Sequence, residues 1–218
     1  MHADTDTNTA DEDPKDLVRR GYDALSVHYE RAFGSETKYA PWTPELLARL
    51  APAPSTVLDV GCGTGVPVAR ALTEAGHRVV GVDISEVQIA RARELVPRAE
   101  FVRADATTLT FPPETFDAVV ALYTLIHIPI EDQRVLLERI SGWLRPGGWF
   151  LCATGSGAWT GTDENWLGGG TPMWWSHPDA STTRSWLARV DLAVEHEEFV
   201  PEGEGGGHVL FWARRAAR

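Results

Sequence analysis

Three aspartates and three glycines fall at spacings suited to holding a nucleoside-like ligand. In "VLDVGCGTG" (57–65) an apolar run carries Asp59 and leads into Gly61, Gly63 and Gly65, with Cys62 between the first two. Val57, Leu58 and Val60 read as a strand, and the alternating glycines as a turn whose backbone comes very close to something. A pyrophosphate, a nucleoside and an amino-acid tail all qualify. Asp83 ends the next strand-like run, "VVGVDIS". A carboxylate there can accept hydrogen bonds from both vicinal hydroxyls of a ribose, and Ile84 beside it can cover one face of an adenine. Asp105 ends a third run, "RADAT", where it can accept from an exocyclic adenine amine. Taken singly, each acid has a structural role open to it: Asp59 pins the glycine loop, Asp83 caps the next helix, Asp105 closes a turn. Taken together, they line the crevice at the carboxyl ends of parallel strands, where open α/β sheets bind ligands.

Carrying those acids requires parallel strands, and the pattern after Ser55 supplies them. Strand-like "TVLDVG", "RVVGVDI", "EFVRAD", "FDAVVALYTL" and "WFLCAT" alternate with helical "PVARALTEAG", "SEVQIARARELV" and "EDQRVLLERISGWL". Near-continuous apolar strands between helices imply βαβ units and a sheet covered on both faces. After a helix "TTRSWLARV", the strands "LAVEHEEFV" and "HVLFWARR" flank "PEGEGGG", a connection short enough for an antiparallel hairpin at one sheet edge. Upstream, apolar residues at Leu17, Val18, Tyr22, Leu25, Tyr29 and Phe33 predict an amphipathic helix over 17–33 with Gly21 as its weak point. A second helix is expected to start with Thr43 as N-cap and Pro44 as its first residue. The stretch 155–179 has little periodicity, is long for a connection, and holds four of the nine tryptophans. It reads as a lid or an acceptor wall, with packing on the sheet as the alternative.

The chain of 218 residues suits one domain with a substantial core. We expect an acidic disordered tail over 1–14 and a single domain over 15–218. Within it, 15–55 is a helical cap, 56–155 the cofactor core, 156–180 the Trp/Gly-rich lid and 181–218 the closing helix and hairpin. The net charge of −11 comes without a basic stripe, which disfavours nucleic acid as a partner. No apolar run is long enough to span a bilayer. Two distant cysteines, Cys62 and Cys152, suggest neither a disulfide framework nor a metal site, and point to the cytoplasm.

The G-x-G-x-x-G dinucleotide fingerprint is not met, because the third glycine arrives one residue early. Instead "VLDVGCGTG", "VVGVDIS", "RADA", "FDAVVALYTLIHI" and "LRPGGWFL" resemble, in order and spacing, the successive motifs of the class I S-adenosylmethionine-dependent methyltransferases. The resemblance covers roughly residues 56–153. It implies a doubly wound, Rossmann-like α/β fold whose seven-stranded, mostly parallel sheet has an antiparallel C-terminal strand. It further implies S-adenosylmethionine as cofactor, with Gly61, Gly63 and Gly65 approaching the methionine portion and Asp83 the ribose; Asp59, Cys62 and Ile84 count among the cofactor-binding residues. Asp105 and Ala106 would meet the adenine, and the backbone of Ala121 and Leu122 the methionine amine. Tyr22 and Tyr29 lie on the N-terminal helix, which in such enzymes folds over the cofactor.

Methyl transfer is an in-line displacement in which charge on sulfur disappears, so positioning and desolvation can supply most of the catalysis. A general base helps if the acceptor is a hydroxyl or ammonium. Candidate bases are His127, just past the fourth strand, and His177, in the Trp-rich stretch. Tyr123, Trp159, Trp174 and Trp175 are the candidate acceptor-binding residues. The acceptor expected is a small, partly apolar or planar molecule. The abundance of Ala, Gly and Arg fits a GC-rich genome, and by association a natural-product tailoring step. Base-amine methylation is disfavoured, since "FPPE" (111–114) has the wrong ends for that motif. Two other classes stay open: a non-catalytic binder of the same cofactor, and an NAD(P)-dependent oxidoreductase, which lacks a Tyr-x-x-x-Lys here.

Overall fold

The structure is a computed structural model, and it describes residues 12–34, 39, 41–202 and 206–217. Its strands are β1 (Thr56–Val60), β2 (Arg78–Asp83), β3 (Glu100–Arg103), β4 (Phe116–Leu122), β5 (Leu144–Gly155), β6 (Trp159–Asp163), β7 (Met173–His177), β8 (Leu192–Glu202) and β9 (Gly206–Arg215). The α-helices are α1 (Pro14–Phe33), α2 (Trp42–Arg49), α3 (Val68–Glu74), α4 (Glu86–Leu95), α5 (Ile130–Trp143) and α6 (Ala180–Arg189). Seven strands form one sheet in the order β3-β2-β1-β4-β5-β9-β8. The pairs β1–β2, β1–β4, β2–β3 and β4–β5 are parallel, while β9 runs antiparallel to both β5 and β8. This is the expected Rossmann-like methyltransferase architecture, with the closing hairpin at the sheet edge.

Burial on both faces explains why the strands read as continuous apolar runs. Successive side chains of a strand point to opposite faces. Val57, Ala118, Val120, Leu151 and Leu210 thus pack with α2, α3 and α4, while Leu58, Val119, Phe150, Cys152 and Phe211 pack with α5 and α6. The chain order reverses between β1 and β4, so a crevice opens at their carboxyl ends.

Several local boundaries differ from the sequence pattern for identifiable reasons. Helix α1 begins at Pro14, three residues early, because the Asp13 side chain accepts a hydrogen bond from the Lys15 N–H and Pro14 fits the first turn. Of the segment expected to be a disordered tail, 1–11 lies outside the described residues. Helix α2 starts at Trp42, and Thr43 does not cap it. The "RPGG" turn is a bulge within β5: Phe116 pairs with Leu144 and Ala118 with Trp149, so Arg145–Gly148 loop out.

The stretch 155–179 is ordered into a two-stranded antiparallel sheet, with Trp159 opposite His177 and Asp163 opposite Met173. Its pattern was illegible because β6 is almost wholly exposed and shows no apolar alternation. Trp166 and Met173 pack on Val18 and Leu25 of α1. Gly21 is buried at this contact: a Cβ there would lie 2.6 Å from Met173 Cε and 3.1 Å from the Pro172 carbonyl oxygen. Its lack of a side chain lets α1 and the hairpin touch. No helix among the described residues is long and apolar enough to cross a membrane.

Candidate functional site

A cavity opens at the strand switch, floored by β1, β2 and β4 and roofed by α1. The glycine turn forms one wall. Gly61 has φ 67°, and a Cβ on it would sit 2.1 Å from Thr124 Oγ1. Only glycine fits, both for its left-handed backbone and for the close approach. The Gly61 and Cys62 N–H groups donate to the Val82 carbonyl at 2.7 and 3.0 Å, tying the turn to β2.

Asp83 ends β2 and holds the turn from the other side. Its Oδ2 accepts from the Gly63 N–H at 2.9 Å, and its Oδ1 from the Ser85 N–H at 2.8 Å. Burial pushes its carboxyl up to about 6 against backbone hydrogen bonds from Ser85, Gly63 and Ile84. A carboxylate has about four acceptor sites, so Asp83, which lines the cavity, retains capacity to accept from a ligand. Asp83 does not itself cap α4, since Ser85 Oγ accepts from the Gln88 N–H.

Asp59 is only 4% exposed, and no hydrogen bond to its carboxylate occurs among the described residues. Burial, with a smaller push from the Asp83 charge, raises it to about 7. A buried acid left without partners, facing a cavity, awaits a donor or a cation.

Asp105 is the best satisfied of the three acids. Its Oδ1 accepts from the Thr107 N–H and hydroxyl, both at 2.8 Å, and its Oδ2 from Lys15 Nζ at 3.0 Å. These bonds outweigh its desolvation and lower its pKa. Lys15 also reaches Thr107 Oγ1 at 2.9 Å and Asp132 at 2.7 Å, so the first turn of α1 is moored across this end of the cavity. Further along the roof, Asp23 Oδ1 accepts from Ser85 Oγ at 2.6 Å, and Ser26 Oγ donates to Gln88 Oε1 at 2.7 Å.

His127 joins the roof to the hairpin. Its Nδ1 lies 2.8 Å from the Trp174 carbonyl, which can only accept, so Nδ1 carries the proton. Nε2 is therefore the acceptor for the Tyr22 hydroxyl at 2.9 Å. Burial lowers His127 to about 4, so the ring is neutral near pH 7 with both nitrogens engaged.

Of the residues singled out from sequence, Tyr22, Tyr29, Asp59, Gly61, Cys62, Gly63, Asp83, Ile84, Asp105, Ala106, Leu122, Tyr123 and His127 line this cavity. Gly65 does not; its turn packs on Phe101. Ala121 lies beneath the floor, in the core shared with α5. Trp159, Trp174, Trp175 and His177 also stand apart from the lining. Trp159 is 48% exposed, Trp174 and Trp175 pack against the α1 cluster, and the His177 ring sits over Gly155. Burial lowers the His177 pKa. Pattern reading missed Lys15, Ser26, Tyr39, Gln88 and Thr124. Only Lys15 carried a signal, as the lone base in an acidic segment.

The doubly wound sheet, glycine turn and strand-end acids define a Rossmann-like nucleoside-binding domain. Residues 57–148 match the family model described as a methyltransferase domain, and it is this segment that carries the class I S-adenosylmethionine-dependent methyltransferase motifs. The chain is similar to 27-O-demethylrifamycin SV methyltransferase of Amycolatopsis mediterranei (strain S699), 33% identical over 152 residues, covering 60% of this chain and 55% of the relative. The chain thus spans about half the length of that relative, and it spans 26% of a phosphoethanolamine N-methyltransferase of Zea mays. Among solved structures, it is similar to an S-adenosylmethionine-dependent methyltransferase from Mesorhizobium loti, with TM-score 0.64, 27% identity, and coverage of 79% of this chain and 96% of that one. The [4+2]-cyclase SpnF shares the fold at TM-score 0.74 and 19% identity, over 92% of this chain and 96% of that one.

Proposed function

We propose that this chain transfers a methyl group from S-adenosylmethionine to a small-molecule acceptor. The observation that carries the reading is the cavity-facing Asp59, buried and without a partner beside a glycine turn that a Cβ would fill. Such an acid suits the ammonium of an amino-acid tail. Asp83 retains acceptor capacity for a ribose diol, and Asp105 would accept from the adenine amine. The bound cofactor supplies an electrophilic sulfonium methyl. The chain's own part is to orient and to exclude water: α1 closes the cavity through Lys15, Tyr22, Asp23 and Ser26.

His127 acts in this scheme by position, fixing Tyr22 and the hairpin, since neither of its nitrogens is free to take an acceptor proton. His177 sits outside the cavity, so no role at the reacting atoms is assigned to it. The lack of a basic stripe argues against nucleic acid as acceptor, and two buried free thiols suit a reducing cytoplasm.

Calorimetry and thermal unfolding test the reading directly. S-adenosylmethionine and S-adenosylhomocysteine should bind and raise the melting temperature, whereas NAD and NADP should do neither. A larger shift with a nicotinamide cofactor overturns the assignment. Release of S-adenosylhomocysteine across an acceptor panel then separates an enzyme from a binding protein.

A further inference from the structure

The chain contains four tyrosines, and all four line the one cavity. Tyr22 is held by His127. The other three form a continuous corner. The Tyr39 and Tyr29 hydroxyls are hydrogen-bonded to each other, and the Tyr39 ring meets Tyr123 edge-on, with centroids 6.3 Å apart and planes at 89°. Phe33 extends the wall, 5.1 Å from Tyr29. These residues come from α1, the segment before α2 and the end of β4, whereas the three acids come from β1, β2 and the β3 exit.

Tyr123 occupies its place against the preference of its backbone. Its φ is 59°, a left-handed conformation that is unfavourable for a bulky residue. Thr124 fixes that turn by donating to the Val60 carbonyl at 2.7 Å. Strain of this kind collects where a side chain must be aimed at a ligand. Burial raises all three phenols, Tyr29 to about 12, so they stay protonated and neutral and contribute flat, largely apolar rings.

The charges around the cavity add a second constraint. Among the described lining residues, Lys15 is the sole lysine or arginine, and it is bound to Asp105 and Asp132. Of the lining acids, Glu30 pairs with Arg91. Glu202 acts electrostatically on both Tyr29 and Tyr123, and Glu198 on Tyr123. A carboxylate or phosphate entering this corner would lose its hydration and, among the described lining residues, meet no lysine or arginine that is not already paired.

We propose that Tyr29, Tyr39 and Tyr123 form the acceptor subsite, and that it takes a flat aromatic molecule bearing hydroxyl or amino groups that is neutral or cationic, not anionic. This rests on the methyl-transfer reading above, and it replaces the tryptophan hairpin with the tyrosine corner as acceptor wall.

Three probes that share a ring and differ in charge test it: catechol, dopamine and 3,4-dihydroxybenzoate. Their dissociation constants are measured by ligand-observed NMR on the full chain loaded with S-adenosylhomocysteine. Catechol and dopamine should bind at least tenfold more tightly than the benzoate. Tyr39→Ala should weaken both at least fivefold while leaving S-adenosylhomocysteine affinity within twofold. Tyr39→Phe, which keeps the ring and loses the bond to Tyr29, should fall between. The proposal is overturned if the benzoate binds as well as the others, if no probe binds the loaded protein, or if Tyr39→Ala weakens probe and cofactor equally. Failure of wild type to bind S-adenosylhomocysteine at all would instead sink the methyl-transfer reading.

Discussion

Asp83→Asn separates the two jobs that the structure gives to this residue. The substitution keeps the side-chain shape but replaces one acceptor oxygen with a donor NH2. Asp83 currently accepts from the Gly63 N–H at 2.9 Å and the Ser85 N–H at 2.8 Å, one on each oxygen. Either amide orientation leaves one of those N–H groups facing another donor. An unsatisfied buried N–H costs about 1–3 kcal/mol. Part of that cost is offset near pH 8, because a neutral amide escapes the burial that raises the carboxyl to about 6. A drop of a few degrees in melting temperature is therefore expected. Cofactor affinity should suffer more. The carboxylate can take both ribose hydroxyls, while the amide can accept only one, and a hydrogen bond to a charged group is worth about 1.5–3 kcal/mol. The dissociation constant for S-adenosylhomocysteine at pH 8 should rise roughly tenfold to a hundredfold. Titration calorimetry gives the affinity and differential scanning calorimetry the stability. Unchanged affinity with lowered stability would refute the reasoning, leaving Asp83 as a clamp on the glycine turn alone.

The buried acids predict a proton balance. Asp59 at about 7 and Asp83 at about 6 hold protons in the fold that the unfolded chain has lost, so their contribution to stability declines as pH rises from about 4 to about 7. Binding of a cationic cofactor favours their ionised forms, so binding near pH 6.5 should release protons. Calorimetry in two buffers of different ionisation enthalpy reads that release, and Asp59→Asn should reduce it; identical heats in both buffers would count against the assignment. Gly21→Ala should lower the melting temperature, because overpacking against Met173 and the Pro172 carbonyl costs about 1–3 kcal/mol and exceeds the roughly 1 kcal/mol gained in helix propensity. A rise in melting temperature would show that α1 and the hairpin shift apart freely.

Much of this architecture is local and therefore legible in the chain itself. Alternation of apolar runs with helical periods sets the βαβ order, because strands buried on both faces must be apolar throughout. Gly61 announces its turn because no other residue adopts that backbone so close to Thr124. The strand-end positions of Asp59, Asp83 and Asp105 follow from the same order, since parallel strands bring their carboxyl ends to one edge. The exposed strand β6 carries no such signature, and its pairing with β7 emerges only from the three-dimensional contacts.

The acceptor side depends on long-range packing that no short pattern encodes. Lys15 meets Asp105 across 90 residues, and Tyr22 meets His127 across 105. The tryptophans of 155–179 stand out by their number, yet Trp166, Trp174 and Trp175 pack on α1, because the buried Gly21 lets the hairpin close onto that helix, while Trp159 is half-exposed. Tyr39 gave no signal at all. It reaches the cavity because the fold sets it between Tyr29 of α1 and Tyr123 at the end of β4. Periodicity and backbone sterics, both local, set the sheet, its order and the acids along its edge. Long-range packing alone sets which aromatic rings face the cavity and which partners hold the two nitrogens of His127.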